Sequence, residues 1–344
     1  MEYRALGGSE IKASAMGTGT QAWGKESWGY GSKYTEKDVF EAFKACVDAG
    51  VNFFDTSDSY AKGESERLLG KFMQMDGRPI VVASKFTKSK WYDPGNYESP
   101  KDVLPAIERS LKNLGVEQLD LYQLHYPESP SKINAYLDAL AETFKSGKTK
   151  AIGVCSFNVD RLRYACEYLD KKDVPIVSNQ IGYNLLFRHP ETNGLLDICN
   201  ELNVTPIAIL PLAEGILTGK YRVGGMDYPA NVKTIMKVTQ LDMSGTGHSA
   251  SLLKRLLKKP YELEREKLEP LFELLGEIAA SHQATIVQVA LNWLLNSHSK
   301  IIYIPGAKNF KQASDNLASL KWKMTADEFQ RISELERKLW MDYK

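Results

Sequence analysis

Short apolar runs alternate with amphipathic segments along most of this chain. Seven runs have the apolar and β-branched character of strands that are covered on both faces: VNFFD, IVVASK, LDLYQLH, AIGVCS, IVSNQ, IAILP and IIYIPG. ASAMGTGT, near the start, is a weaker eighth. Between these runs the apolar positions recur every three or four residues, which is typical of helices. Eight such alternations favour an α/β fold of the (β/α)8 TIM barrel type, and an open doubly wound sheet is the main alternative.

Several of the predicted helices have recognisable ends. Thr35 and Asp38 have the spacing of a capping box at the start of the first helix, and Gly50 is its expected stop. Gly115 is the expected stop of a helix that begins near Pro100. Further helices are predicted around residues 64–75, 133–146, 159–171, 193–202, 267–281 and 285–297.

Two segments depart from this alternation. YRALGGSEIKASAM has the pattern of two short strands around Gly7 and Gly8, which predicts a β-hairpin ahead of the barrel. Residues 222–262 contain clusters of Gly, Pro and Ser and follow the seventh strand. A long loop in that position is expected over the mouth of a barrel, although a plain surface insertion is the alternative. We expect residues 1–344 to form a single barrel domain.

Composition narrows the class of protein further. Hydrophobic residues make up 43% of the 344 positions and charged residues 25%, which allows a large core. A net charge of +1 gives no electrostatic reason to expect nucleic acid or an acidic membrane as partner. No secretory signal or membrane span is evident. The four cysteines are scattered, so we expect reduced thiols, a cytoplasmic location, and neither a disulfide framework nor a metal site.

Polar side chains occur where the second, third and fourth predicted strands end. These are Asp55, Lys85 and His125, and Tyr60 follows five residues after Asp55. The carboxyl ends of all strands of a parallel barrel open on one mouth, so the side chains are expected to converge there. Each residue alone has an ordinary explanation as a solvated charge, a turn residue or a structural histidine. Their joint occurrence on neighbouring strands is what indicates a site.

The chemistry of these side chains fits proton transfer. An unperturbed tyrosine has a pKa of about 10, and a nearby ammonium would lower it. Asp55 would hold Lys85 charged, Lys85 would activate Tyr60, and His125 would hydrogen-bond a carbonyl oxygen or share the tyrosine proton. The sequence therefore predicts Tyr60 as a general acid/base, with Asp55 in a supporting role.

Four segments carry a resemblance to a known family: GVNFFDTSDSY, LDLYQLHYP, ILTGKY and IPGAKNFKQASDN. Over nearly its whole length the chain resembles the aldo-keto reductase superfamily. Asp55, Tyr60, Lys85 and His125 match the catalytic tetrad of that family in order and context. The resemblance implies a (β/α)8 barrel, NADPH or NADP+ bound without a Rossmann domain, and hydride transfer to the carbonyl of a small molecule.

The segment MGTGTQAWG does not fit a G-x-G-x-x-G motif, which agrees with the absence of a Rossmann unit. Lys308 precedes the predicted phosphate site after the eighth strand and offers a cation for a 2′-phosphate. The resemblance implies that the adenine, pyrophosphate, ribose and nicotinamide contact Thr20, Gln21, Asp55, Ser156, Gln180, Pro211, Leu212, Gly215, Leu217, Lys220, Gly306, Lys308, Gln312, Asp315 and Asn316.

The chain departs from the family pattern near the expected nicotinamide. Cys155 and Ser156 stand where Ser-Asn is usual, and Ile209 and Leu210 stand where an aromatic residue is often found. Neutral drift and altered cofactor binding are both open interpretations.

Function also has alternatives. A cofactor-binding regulatory protein, like the potassium-channel β subunits of this superfamily, is the alternative to a reductase, and a biosynthetic step on one dedicated substrate is a third. Several aromatic residues are expected near the mouth: Trp23, Trp28, Tyr30, Trp91, Tyr92, Tyr126 and Tyr183. They would suit an apolar or aromatic substrate, and the alternative is that they serve only in packing.

Overall fold

The computed structural model describes residues 1–87, 99–228 and 265–341. Eight strands follow one another in chain order in a single sheet, and each pairs in parallel with the next. They are β3 (Thr18–Gly19), β4 (Phe53–Asp55), β5 (Val81–Phe86), β6 (Leu119–Leu124), β7 (Thr149–Cys155), β8 (Ile176–Gly182), β9 (Thr205–Ile209) and β10 (Ile302–Tyr303). Gly17 N donates to Tyr303 O at 2.8 Å and Tyr303 N donates to Ala15 O at 3.1 Å, which joins the last strand to the first. The predicted (β/α)8 barrel is confirmed.

The predicted hairpin is also confirmed. Its strands β1 (Tyr3–Ala5) and β2 (Lys12–Ser14) pair antiparallel around the Gly7–Gly8 turn. Gly7 N donates to the hydroxyl of Thr205, the first residue of β9, at 2.8 Å. Leu6 packs with the barrel-lining side chains Phe53 and Leu121 in one apolar cluster. The hairpin therefore covers the N-terminal end of the barrel and leaves the carboxyl ends of the strands as the open face.

The helices lie outside the strands and bury their apolar faces against them. They are α1 (Glu36–Asp48), α2 (Glu64–Asp76), α3 (Val103–Leu114), α4 (Ile133–Lys145), α5 (Val159–Asp170), α6 (His189–Thr192), α7 (Leu195–Glu201), α8 (Arg265–Ser281), α9 (Ile286–Ser297), α10 (Phe310–Ala318) and α11 (Ala326–Met341). The capping box of Thr35 and Asp38 is present, and Gly115 ends α3 with a left-handed φ of 67°. The predicted helix boundaries hold to within a few residues.

The predicted helices end at residue 297, so they include neither α10, which holds Gln312, Asp315 and Asn316, nor α11. The structure puts all three residues inside α10. This helix buries only Ala313 and Asn316, so it lacks the continuous apolar stripe that marks the others. Its start is set by the side chain of Asn309, which accepts a hydrogen bond from Gln312 N at 3.0 Å.

The predicted long loop after the seventh barrel strand falls mostly on residues 229–264, which lie outside the described residues. Its first part, residues 222–228, is irregular, and Arg222 forms an ion pair with Glu269 of α8. Within the described ranges, no helix combines the length and apolarity that a membrane crossing requires. All four cysteines are free and buried.

Two helical glycines give a matched test of the packing between helices. A Cβ on Gly70 of α2 would lie 2.4 Å from Leu114 O of α3, whereas one on Gly276 of α8 would meet nothing within 4 Å. We expect Gly70→Ala to lower the free energy of unfolding by about 1–3 kcal/mol because the helices must separate. We expect Gly276→Ala to raise it by about 0.5–1 kcal/mol because alanine restricts the unfolded chain. Urea denaturation measures both changes, and shifts of the same sign would contradict this packing.

Candidate active site

A buried lysine lies at the centre of the open face. The Lys85 ammonium at the end of β5 donates to Asp55 Oδ1 at 2.6 Å, to Thr56 O at 2.7 Å and to the Tyr60 hydroxyl at 3.2 Å. An ammonium has three protons to donate, and these contacts use all three. The Lys85 side chain is 0% exposed and that of Asp55 is 2% exposed. The structure thus joins three of the four predicted catalytic residues in one hydrogen-bonded cluster.

A strained turn presents Tyr60 to this cluster. Tyr60 begins a short 3-10 turn, Tyr60–Gly63, in which Ala61 and Lys62 have left-handed φ angles of 48° and 57°. Such conformations cost residues with a Cβ roughly 1–2 kcal/mol each. Strain of this kind is concentrated at functional sites, where the surrounding structure enforces it. The turn aims the Tyr60 hydroxyl inward over Lys85, where it meets the open cavity.

The charges of the cluster determine which groups hold protons. Burial is the largest effect and lowers the pKa of Lys85, but the attraction of Asp55 and its hydrogen bond, together with Tyr60 and Cys155, outweigh it. The pKa of Lys85 therefore lies above its usual value and the ammonium persists. Burial raises the pKa of Tyr60, the Lys85 charge opposes that rise, and Asp55 adds to it. The net direction is upward, so the expectation that Lys85 lowers the pKa of Tyr60 overall is wrong for this structure. Tyr60 therefore holds its proton at neutral pH.

His125 completes the predicted group on the neighbouring strand end. Its ring lies 6.0 Å from that of Tyr60, edge to face, and stacks on Tyr126 at 4.4 Å. Burial, assisted by the charge of Lys85, holds the pKa of His125 well below its usual value. The imidazole is therefore neutral, with one nitrogen that donates and one that accepts.

Gln180 connects this group to the residues that depart from the family pattern. Its amide nitrogen donates to Asp55 Oδ2 at 2.7 Å, and its amide oxygen lies 3.7 Å from the Cys155 thiol, which donates to it. Burial raises the pKa of Cys155, so the thiol keeps its proton and is no nucleophile at neutral pH. Cys155 thus helps to orient Gln180, while exposed Ser156 takes a left-handed φ of 59° at the cavity.

A cavity of about 470 Å3 runs from this group toward α10. Tyr60 and His125 lie on its wall together with Ile209 and Leu210. Most of the expected cofactor contacts line it as well: Gln21, Asp55, Ser156, Gln180, Pro211, Leu212, Gly215, Lys220, Gly306, Lys308, Gln312, Asp315 and Asn316. The structure therefore gathers the predicted cofactor residues around one elongated space.

Thr20 and Leu217 are the two expected cofactor contacts that do not line this cavity. Both are fully buried. The Thr20 hydroxyl contacts Ser65 Oγ at 2.7 Å and donates to Asp55 O at 3.0 Å, so it ties β3 to β4 and α2. Leu217 packs in the apolar core. Their side chains support the cavity wall from behind.

After β9, the backbone of the cavity wall adopts left-handed conformations that residues with a Cβ ordinarily disfavour. Leu210, Ala213 and Glu214 have left-handed φ angles of 54°, 48° and 55°, and Gly215 follows with 90°. A wall that bends this sharply offers backbone to a ligand in place of side chains. Asp315, on the opposite side, accepts hydrogen bonds from Thr285 at 2.9 Å and Gln288 at 2.7 Å and is thereby tied to α9.

Lysines surround the far end of the cavity. Lys308 is half-buried, with its ammonium 5.5 Å from the ring of Trp28 and 5.1 Å from that of Tyr34. Burial lowers the pKa of Lys308, and the charges of Lys220, Lys33 and Lys25 lower it further against the opposing effect of Glu214. The four lysines repel one another, and Glu214 offsets only part of their charge. Such a group of cations favours an anion with several charges.

A second cavity, of about 670 Å3, opens on the other side of Tyr60 and His125. The sequence analysis did not single out the charged residues around it: Lys25, Glu26, Lys62, Glu64 and Arg67. Their only sequence signal is position: Lys25 and Glu26 follow Gly24 directly, and the other three lie within seven residues after Tyr60.

The aromatic residues considered near the mouth divide into two groups. Tyr30 and Tyr126 line the second cavity, and Trp28 lines the first. Trp23 and Tyr183 are fully buried packing residues. Trp91 and Tyr92 lie outside the described residues. The described lining of the second cavity thus combines five charged side chains with three tyrosines.

A barrel with a buried Lys-Asp pair beneath a tyrosine, beside a lysine-rimmed cavity, has the architecture of a barrel oxidoreductase. Sequence comparison then gives the particular family: residues 15–337 match the model of the Aldo/keto reductase family. The chain belongs to that family.

Three similar proteins show how far the likeness extends. The chloroplastic pyridoxal reductase of Arabidopsis thaliana is 32% identical over 333 residues, which cover 92% of this chain and 82% of the relative. The aldo-keto reductase yakc [NADP(+)] of Schizosaccharomyces pombe is 30% identical over 301 residues, which cover 84% of this chain and 79% of the relative. A thermostable aldo-keto reductase crystallised with the inhibitor epalrestat has a TM-score of 0.70 at 26% identity, and the match covers 97% of this chain and 100% of that one.

The buried ion pair of Lys85 and Asp55 leads to a prediction about the free energy of unfolding. Lys85→Met leaves the Asp55 carboxylate without its cation, so we expect the free energy of unfolding to fall by about 3–5 kcal/mol. Adding Asp55→Asn removes the stranded charge and should restore part of that loss. Lys71→Met, which breaks an exposed pair with Glu36, is the control and should change stability by about 0–1 kcal/mol. Equal losses in the single and double Lys85 variants by denaturant unfolding would contradict the pairing.

Proposed function

We propose that the protein is an NADPH-dependent reductase of aldehydes or ketones, or the dehydrogenase of the reverse reaction, with Tyr60 as general acid/base. The observation that carries the proposal is the contact of the Lys85 ammonium with both Asp55 and Tyr60, at the point where the two cavities meet. A regulatory protein that only binds the cofactor needs no such arrangement, so the enzyme is the better explanation.

The proton steps follow from the protonation states of the cluster. NADPH, when bound, would supply the hydride, and the carbonyl oxygen would then gain negative charge. Tyr60 holds a proton at neutral pH and donates it to that oxygen. Lys85, 3.2 Å away, stabilises the phenolate that remains. His125 hydrogen-bonds the same oxygen from the other side. In the reverse direction the phenolate accepts the proton of the alcohol.

The first cavity supports NADPH in preference to NADH. Lys308 and Lys220 line one end of the cavity and would offer cations to a 2′-phosphate and a pyrophosphate. Lys308 also lies just before the N-terminus of α10, whose dipole favours an anion. At the other end, Gln180 and Ser156 would hydrogen-bond an amide, and Ile209 would pack against an aromatic ring. The residues present therefore fit the cofactor along its length.

The second cavity supports a polar substrate. Lys25, Lys62 and Arg67 alternate with Glu26 and Glu64 around its wall, and it reaches Tyr60 and His125 directly. Such a wall favours a carbonyl compound that carries hydroxyl or charged groups over an apolar one. The relative named as a pyridoxal reductase acts, by its name, on a polar aldehyde. The free cysteines agree with a reducing compartment such as the cytoplasm.

Removing the Tyr60 hydroxyl tests the proposal directly. We expect Tyr60→Phe to retain NADPH binding and to lose carbonyl turnover by about 10²–10⁴-fold, the usual contribution of a general acid. Turnover is followed by NADPH absorbance with a panel of polar aldehydes, and binding by cofactor fluorescence. Tyr164→Phe removes a hydroxyl that bonds Asn134 on the outer surface and should leave turnover unchanged. Near-normal turnover in Tyr60→Phe would refute the assigned role.

Removing the Lys308 charge tests the choice of cofactor. We expect Lys308→Ala to weaken NADPH binding by about 1.5–3 kcal/mol, the value of a charge-assisted contact, and to leave NADH binding nearly unchanged. The matched control is Lys311→Ala, which removes an exposed lysine of α10 that does not line the cavity. Calorimetric titration gives both affinities. Equal losses for the two cofactors would place the 2′-phosphate elsewhere.

A further inference from the structure

Behind His125 lies a cluster of hydroxyl groups that the proposed reaction does not use. His125 Nδ1 is 2.7 Å from Thr87 Oγ1, and Thr87 Oγ1 is 3.1 Å from Ser57 Oγ. Ser57 Oγ donates in turn to Asp58 Oδ1 at 3.1 Å. Ser59 Oγ lies 3.1 Å from Thr87 Oγ1 and 3.0 Å from Ser57 Oγ, which gives a parallel branch. A continuous path of hydrogen bonds therefore connects the imidazole to a carboxyl group.

Asp58 is an unusual carboxyl group because it is almost fully buried, with its side chain 2% exposed. Within the described ranges its Oδ2 accepts no hydrogen bond, and the cation that faces it, Arg109 of α3, is 3.8 Å away. Burial raises the pKa of Asp58 to about 7, and the charge of Glu66 on α2 adds to the rise, while Thr87, Arg109 and Ser57 oppose it. Its charge therefore changes near neutral pH.

We propose that Asp58 is a positioning residue that determines, through Ser57 and Thr87, which ring nitrogen of His125 carries the proton. The proposal deepens the proposed function and rests on it for its catalytic consequence. The hydrogen-bonded path itself stands on the distances alone.

The protonation state of Asp58 sets the direction of donation along this path, because a hydroxyl donates only one proton. When Asp58 is a carboxylate it can only accept, so Ser57 donates to Asp58 and its oxygen is left to accept. Thr87 then donates toward Ser57, either directly or through Ser59, to which its hydroxyl donates at 3.1 Å. In both branches the Thr87 proton points away from His125, and Nδ1–H of His125 donates to Thr87. The other nitrogen, Nε2, is then an acceptor. When Asp58 is protonated, the path runs the other way: Thr87 donates to Nδ1, and Nε2 carries the proton.

The proton balance of this change is simple. One proton enters at Nε2, the Nδ1 proton passes to the Thr87 oxygen, the Thr87 proton passes to Ser57, and the Ser57 proton passes to Asp58. His125 is neutral before and after, in agreement with the low pKa that burial and Lys85 impose on it. The charge that changes is on Asp58 alone, away from the reacting atoms.

The two forms suit the two directions of the reaction. A carbonyl oxygen is an acceptor, so reduction needs Nε2–H, the form with Asp58 protonated. An alcohol is a donor, so oxidation is served by an unprotonated Nε2, the form with Asp58 ionised. Among the residues that the structure describes, the other titratable groups that face His125 are Tyr60, Lys85 and Tyr126. Tyr60 and Lys85 keep their protons through neutral pH, so neither produces this change.

The direct test is the tautomer of His125, observed by nitrogen-15 NMR of the histidine rings between pH 5.5 and 8.5. The chain has only five histidines, and a His125→Asn sample assigns the signal. We expect the proton to move from Nε2 to Nδ1 as the pH rises, with a midpoint near the pKa of Asp58, about 7. Asp58→Asn should abolish the transition. A tautomer that does not change with pH in the wild-type protein, or an unchanged transition in Asp58→Asn, would overturn the proposal.

The kinetic test removes the Thr87 hydroxyl, which lies on the path between His125 and Asp58. Thr87→Val should remove the pH-dependent transition and lower kcat/KM for carbonyl reduction about 3- to 10-fold below pH 7, the effect of one misdirected neutral hydrogen bond. Thr87→Ser keeps the hydroxyl and should restore both. Thr149→Val removes an equally buried hydroxyl that bonds Ala151 O at 2.8 Å and should change neither.

The two measurements separate this proposal from the proposed function. If the wild-type protein turns over no carbonyl compound but the tautomer titrates as described, the proposed function fails and the positioning of His125 stands. If turnover is normal and Thr87→Val behaves like Thr149→Val in both tests, the positioning role fails and the proposed function stands.

Discussion

One ammonium group organises the open end of this barrel. Lys85 is withdrawn completely from water, and a cation in that position is stable only if acceptors surround it. Asp55, Thr56 O and the Tyr60 hydroxyl provide them, and they come from one strand end and the turn after it. The need to satisfy Lys85 therefore fixes the end of β4, the strained turn at Tyr60 and the register between β4 and β5. Gln180 extends the same network across the mouth to β8.

Proton chemistry in this site depends on burial as much as on charge. A sequence shows that a lysine stands near a tyrosine, but it does not show how much water both have lost. Here the loss of water outweighs the attraction of Lys85, so Tyr60 holds its proton more firmly than a free tyrosine does. In the proposed reaction, such a group would donate readily only when a charged oxygen forms beside it.

Much of the fold and the centre of the site could be predicted from the sequence, because both follow simple patterns. Buried strands appear as apolar runs, and polar residues such as Asp55 and His125 at the ends of such runs must face the mouth. The network of Ser57, Asp58 and Thr87 could not be predicted, since serine and threonine are common beside strands and their partners depend on exact side-chain directions. Thr20 and Leu217 do not line the first cavity for a related reason: the sequence shows that a residue lies near the mouth but not which way its side chain points.

The charged residues of the second cavity belong to the segments after β3 and β4, whereas Asp55, Lys85 and His125 are anchored at or next to strand ends. Lys25 and Glu26 lie in the first segment, and Lys62, Glu64 and Arg67 in the second. Lys62 is part of the turn that presents Tyr60, so a change there disturbs the proposed proton donor as well. An engineer who wants a different selectivity therefore has the other four positions to vary before touching the proposed chemistry.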